Sequence, residues 1–149
     1  MYKRIILAYD GSVSGQHALV NVQDLRQWEQ SKLTLVTVVP TLSADAGAVE
    51  MGYLGSIGPT SAELETSLKD QLDRGVEALR SMGFSADGVL LKGEVIREIS
   101  RFAKEQNADL IVVGHKHEKS LIRRWWSGST AKSLVEEAPC NVLIVMHQT

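Results

Sequence analysis

The stretch that decides the fold is Arg4-Ile5-Ile6-Leu7-Ala8-Tyr9-Asp10-Gly11-Ser12, a short apolar run followed at once by a carboxylate, a glycine and a hydroxyl. Similar runs recur along the chain. We predict a strand for each of Arg4 to Tyr9, Leu33 to Val39, Asp87 to Leu91, Leu110 to Val113 and Val142 to Met146. The second, fourth and fifth show little polar alternation, which is typical of a parallel sheet covered on both faces.

Segments in which apolar residues recur three or four positions apart separate these runs. They predict helices over Ser12 to Glu29, Ser61 to Met82, Glu94 to Gln106 and Thr130 to Glu137. Strict alternation of strand and helix predicts right-handed crossovers and an α/β fold with helices on both faces of the sheet. Since no repeat or internal boundary is visible, we expect residues 1–149 to form one domain.

The composition argues against several classes of function. Of the 149 residues, 44% are hydrophobic and 23% charged, as in an ordinary globular protein, and the net charge of −2 argues against nucleic acid as a partner. No apolar run approaches the ~20 residues of a membrane span. Cys140 is the only cysteine, which excludes an internal disulfide. We therefore expect a cytoplasmic protein with no nucleic-acid or membrane partner.

Asp10 is the first candidate site residue. It directly follows a predicted strand, at the edge where open α/β sheets bind their ligands. Its carboxylate could accept a hydrogen bond from an adenine amino group or a ribose hydroxyl. Capping of the next helix is the alternative, and it is favoured when the residue is considered alone.

A second group of candidates surrounds the loop after the fourth predicted strand. Gly114 would let the backbone approach a ligand closely because it has no Cβ. The run Gly128-Ser129-Thr130 opens the last helix, where it could form an anion site or an ordinary N-cap.

The loop between these glycines is basic. Lys116, Arg123 and Arg124 add positive charge, and for the two arginines a phosphate contact and a solvated surface are equally open. His115 and His117 have no evident third ligand, so we predict no metal site formed by the protein alone.

Taken together, the chain resembles the universal stress protein family over nearly its whole length. The matching stretches are Ile5 to Ser12, Gly93 to Ile96, Ala108 to Gly114, Gly128-Ser129 and Cys140 to Val145. The resemblance implies an adenine nucleotide alpha hydrolase-like fold. This is a single doubly wound open sheet of five parallel strands in the order 3-2-1-4-5.

In the ATP-binding branch of that family, the loop reads Gly, two residues, Gly, nine residues, Gly, then Ser or Thr. Gly114 matches the first glycine, and Gly128-Ser129 matches the last pair. His117 replaces the middle glycine, with ten residues instead of nine before Gly128, and its side chain could crowd the ribose. The nucleotide-binding residues that the resemblance implies are Asp10, Val38 (through its backbone), Gly114, His117, Gly128, Ser129 and Thr130.

The resemblance also implies a cytoplasmic homodimer that binds ATP or another adenine nucleotide with Mg²⁺ and serves a stress response or signalling. Two copies pairing along Asn141 to Met146 would cover an apolar edge strand. Two alternatives stay open. One is a slow ATP hydrolase, although no base can be assigned and we expect binding more than turnover. The other is a dimeric scaffold without nucleotide, favoured by His117 and opposed by Gly128-Ser129.

Overall fold

The computed structural model describes residues 1–11, 13–20, 23–40, 61–116 and 128–147. Its elements in chain order are β1 (Arg4–Ala8), α1 (Val13–Val20), a 3₁₀ helix (Gln23–Trp28), β2 (Lys32–Pro40), α2 (Ser61–Ser81), β3 (Ser85–Gly93), α3 (Val95–Glu105), β4 (Leu110–Lys116), α4 (Gly128–Glu137) and β5 (Asn141–His147). The strands form one sheet in the order β3-β2-β1-β4-β5, and every neighbouring pair is parallel. The predicted doubly wound fold is therefore confirmed.

Two apolar layers cover the sheet, one on each face. The first layer joins β1 and β2 to α1 through Leu19 and to α2 through Leu72 and Leu79. The second joins them to α3 through Ile99 and to α4 through Leu134. Because both faces are covered, β1 and β4 carry apolar residues without alternation, which is the pattern that predicted them.

The first predicted helix is wrong as a single element. Instead of one helix from Ser12 to Glu29, the structure has α1 and then a separate 3₁₀ helix, Gln23–Trp28. Trp28 is buried in the same apolar cluster as Phe84, and its carbonyl oxygen accepts a hydrogen bond from Ser31 N–H at 2.9 Å. We attribute the change of winding to this anchoring. Apolar spacing of three and four does not distinguish 3.0 from 3.6 residues per turn.

The edge strand β3 is longer than predicted. It spans Ser85–Gly93 and pairs with β2 over its whole length, from Lys32↔Ser85 to Pro40↔Gly93. The backbone of β2 forms hydrogen bonds with β3 whatever the side chains of β3 are. Exposed polar residues at the ends of β3 therefore belong to the strand, although the apolar pattern of the sequence does not mark them. Within the described ranges, no helix combines the length and the apolar character that crossing a membrane requires.

Candidate functional site

The central strand β1 ends earlier than both of its neighbours at the C-terminal edge of the sheet. Its last paired residue, Ala8, lies opposite Val36 of β2 and Val113 of β4. Beyond this point β2 continues as residues 37–40, paired to β3, and β4 continues as residues 114–116, paired to β5. We call the space between these two extensions the notch. Two strand spacings make it about 10 Å wide, enough for a planar ring.

The chain turns away from the sheet at the floor of the notch. Tyr9 N–H donates to Val36 O at 3.1 Å, and Gly11 then adopts a φ of +82°, a left-handed conformation that favours glycine. Helix α1 begins two residues later, at Val13. Asp10 therefore lies at the turn, half-buried, where the sequence placed a candidate ligand-binding carboxylate.

Val38 directs its backbone toward the notch. Along a parallel strand, the backbone groups of successive residues point alternately to the two neighbouring strands. Val36 directs its carbonyl oxygen to β1, so Val38 points the same way, past the end of β1. Its side chain is buried in the apolar layer beneath α3 and α4. Val38 thus offers the notch one N–H donor and one carbonyl acceptor, as a backbone contact with adenine requires.

Helix α4 brings its N-terminus to the same edge. Its last residue, Glu137, precedes the start of β5, which lies opposite Leu110 at the N-terminal edge of the sheet. A helix of ten residues is about 15 Å long, so Gly128 lies toward the C-terminal edge. Gly128, Ser129 and Thr130 form the first turn. There, free backbone N–H groups and the helix dipole favour an anion.

Gly114 has a structural explanation of its own. A Cβ at this position would lie 2.8 Å from the carbonyl oxygen of Gly15 and 3.0 Å from Cγ of Leu19, both in α1. The missing side chain therefore lets α1 pack closely on β4. Since this packing already requires glycine, the nucleotide contact of Gly114 stays a prediction.

The other predicted residues belong to the loop that follows β4. Lys116 is the last residue of β4, while His117, Arg123 and Arg124 lie outside the described residues. Within the described part of the chain, no three side chains of His, Cys, Asp or Glu are grouped so that they could hold a metal ion. Asp10 and the Val38 backbone thus lie at the C-terminal edge of the sheet, and the length of α4 places its first turn toward the same edge.

A buried polar cluster that the sequence prediction missed lies beneath the floor of the notch. Gln16 of α1 is 5% exposed, and its Nε2 donates to Tyr9 Oη at 3.0 Å and to the Gln71 carbonyl oxygen at 2.7 Å. Gln71 Nε2 in turn donates to Gln16 Oε1 at 2.9 Å. Burial raises the pKa of Tyr9 to about 12, so the phenol stays neutral. The one available signal was a glutamine in the apolar stripe of α1, three residues before Leu19.

The chemical groups around the notch fit an adenine nucleotide. The Val38 backbone offers the paired donor and acceptor that the edge of a base can use, and the first turn of α4 suits a phosphate. A second missed residue, Thr37, adds a buried hydroxyl beside Gly11. Its Oγ1 has no hydrogen-bond partner among the described residues.

Comparison with known proteins identifies relatives by sequence. The sequence model described as the universal stress protein family matches residues 1–146. A universal stress protein of Thermus aquaticus is 31% identical over 151 residues, which cover 97% of this chain and 99% of that protein. One from Synechocystis is 28% identical over 153 residues, covering 98% and 99%.

Solved structures of universal stress proteins share the fold. The protein from Archaeoglobus fulgidus in complex with dAMP is 20% identical, covers 97% of this chain and 98% of its own, and has a TM-score of 0.63. A family protein from Arabidopsis thaliana with AMP bound is 15% identical, with coverage of 99% and 93% and a TM-score of 0.65. A universal stress protein in complex with cAMP is 17% identical, with coverage of 99% and 98% and a TM-score of 0.63. On the match of the family sequence model, this chain belongs to the universal stress protein family.

Proposed function

We propose that the chain binds an adenine nucleotide in the notch, with ATP and Mg²⁺ as the leading ligand, and acts in a stress response or in signalling. The observation that carries the proposal is the early end of β1. It leaves the Val38 backbone pointing past the end of β1 into the open edge of the sheet. Structurally similar family members solved with cAMP, AMP and dAMP support this class of ligand.

Each end of the nucleotide has its own contacts in this proposal. The base pairs with the Val38 backbone, and Asp10 accepts a hydrogen bond from the adenine amino group or a ribose hydroxyl. The phosphates lie at the backbone N–H groups of Gly128, Ser129 and Thr130 and at the hydroxyls of Ser129 and Thr130. The positive charges of Lys116, Arg123 and Arg124 favour the phosphate end, and Mg²⁺ would neutralise phosphate charge there.

We further propose that two copies pair through β5. This strand is an edge of the sheet, and its Leu143 and Ile144 are each 40% exposed although they point to opposite faces. A second copy running antiparallel along Asn141 to Met146 would satisfy the unpaired backbone groups and bury these side chains. We also propose a cytoplasmic location, where ATP is abundant and the thiol of Cys140 stays reduced. Cell fractionation tests that location.

Two measurements test nucleotide binding directly. Mass spectrometry of small molecules released from the purified protein should find an adenine nucleotide, and calorimetry should show that ATP with Mg²⁺ binds. Asp10→Ala should weaken binding by about ten- to a hundred-fold, because a hydrogen bond to a charged acceptor is lost. The matched control is Asp70→Ala, which removes an exposed carboxylate of α2 and should leave the affinity unchanged.

The same assays separate the alternatives. Absence of both heat and thermal shift with every adenine nucleotide would refute the proposal and favour the dimeric scaffold. Binding followed by steady release of inorganic phosphate from ATP would instead identify a slow hydrolase.

A further inference from the structure

Thr37 of β2 carries a buried hydroxyl group that has no hydrogen-bond partner in the part of the chain that the structure describes. The residue is 0% exposed, and among the described residues no group hydrogen-bonds to its Oγ1. Buried side-chain hydroxyls nearly always have a partner, because a buried hydroxyl without one destabilises the fold. A valine would fill the same space without that cost. The presence of a threonine therefore requires an explanation.

The hydroxyl lies at the floor of the notch. Ala8, the last paired residue of β1, lies opposite Val36, so Thr37 is the first residue of β2 beyond the end of β1. Its Oγ1 lies 3.4 Å from the point that a Cβ of Gly11 would occupy. The next residue along the strand is Val38, whose backbone faces the notch. Thr37 therefore lies on the β2 side of the notch, one residue before the backbone proposed to contact the base, and its hydroxyl points to the sheet face covered by α1 and α2.

The atom closest to that point at Gly11 belongs to a flexible side chain. It is a methyl group of Leu68, a half-buried residue of α2. Leucine changes rotamer at modest cost, whereas a strand or helix backbone would not move aside. The Leu68 methyl group and the Thr37 hydroxyl thus both lie beside Gly11, and a change of the Leu68 rotamer would open space next to the hydroxyl.

We propose that Thr37 recognises the ligand: its hydroxyl hydrogen-bonds the nucleoside part of the bound adenine nucleotide and has no partner until the nucleotide binds. This inference rests on the proposed function. A hydroxyl both donates and accepts, so it can pair with a ring nitrogen or with a ribose hydroxyl. Because the bond exists only in the complex, removing the hydroxyl should lower the affinity and raise the stability of the unliganded protein.

Thr37→Val tests this, since it exchanges the hydroxyl for a methyl group of similar size. The matched control is Thr34→Val, the same change in the same strand, at a residue that pairs with Ile6 and Asp87 below the notch. Calorimetry would measure the dissociation constants of adenosine and of ATP with Mg²⁺, and thermal unfolding would measure the Tm without ligand.

We expect Thr37→Val to weaken adenosine and ATP by the same factor, about five- to ten-fold, as the loss of one hydrogen bond predicts. Its Tm without ligand should rise by about 3 °C. Thr37→Ser, which keeps the hydroxyl, should retain most of the affinity. Thr34→Val should leave both dissociation constants unchanged.

Other outcomes would overturn the inference in distinguishable ways. If the unsubstituted protein binds both ligands and Thr37→Val binds them equally well, nucleotide binding stands and the role of Thr37 falls. A loss confined to ATP would assign the hydroxyl to the phosphates and contradict the nucleoside contact. A lower Tm without ligand would show that the hydroxyl already has a partner. If the unsubstituted protein binds neither ligand, the proposed function fails and the inference fails with it.

Discussion

Replacing Gly75 with alanine should destabilise the protein, although alanine is the better helix former. Gly75 lies in the middle of α2, where the helix packs against β2 and α1. A Cβ there would lie 2.5 Å from a methyl of Leu35 and 2.6 Å from Cδ of Gln16, and closer still to Gln16 Nε2. Non-bonded carbon atoms normally approach to about 3.5–4.0 Å, so both side chains would have to move.

The size of the destabilisation follows from one favourable and two unfavourable effects. Alanine favours a helix interior over glycine by about 1 kcal/mol. Overpacking a core costs about 1–3 kcal/mol. Displacing Gln16 also disturbs its hydrogen bonds to Tyr9 and Gln71, each contributing about 1 kcal/mol. We expect the free energy of unfolding to fall by about 2–4 kcal/mol, which corresponds to a Tm about 6–12 °C lower.

Urea unfolding followed by circular dichroism measures this change. The control is Gly83→Ala, at a glycine with a φ of +92° where a Cβ would meet no atom of the described residues within 4 Å. That variant carries backbone strain without a clash and should lose only about 1 kcal/mol. If Gly75→Ala were neutral, or cost less than Gly83→Ala, the close packing of α1 on α2 would be refuted.

Two further predictions concern pH and assembly. Because burial raises the pKa of Tyr9 from 10.0 to about 12, its contribution to stability is complete below about pH 10 and is lost as the pH rises toward 12, by up to about 3 kcal/mol. In urea titrations Tyr9→Phe should therefore lose less stability than the unsubstituted protein between about pH 10 and 12; parallel curves would contradict this. Leu143→Asp should convert the proposed dimer to a monomer with the fold retained, as sedimentation would show. The control is Met82→Asp, at a 49% exposed residue shortly before β3, the opposite edge strand of the sheet, and this variant should remain a dimer. A monomeric unsubstituted protein at tens of micromolar would refute the dimer.

The positions of helices and strands were predictable wherever the spacing of apolar residues follows the buried face of the element. The heptad-like spacing of Leu72, Val76 and Leu79 predicted α2 to within one residue at its end, because those residues line one buried face. The same criterion failed between Ser12 and Glu29, where residues 23–28 form a 3₁₀ helix whose Trp28 is buried in the core. Local spacing carries no information about that contact.

The sequence by itself determined the parallel α/β class, because continuous apolar strands and amphipathic helices are local consequences of burial. It also indicated Asp10 and the Gly128 turn as candidates, since both follow or precede elements at one edge. Only the tertiary structure decided that β1 stops short of β2 and β4, because strand register depends on pairing between distant segments. For the same reason, only the structure could show that Gly114 accommodates α1, that Gln16 links Tyr9 to α2, and that the buried Thr37 hydroxyl finds no hydrogen-bond partner among the residues described.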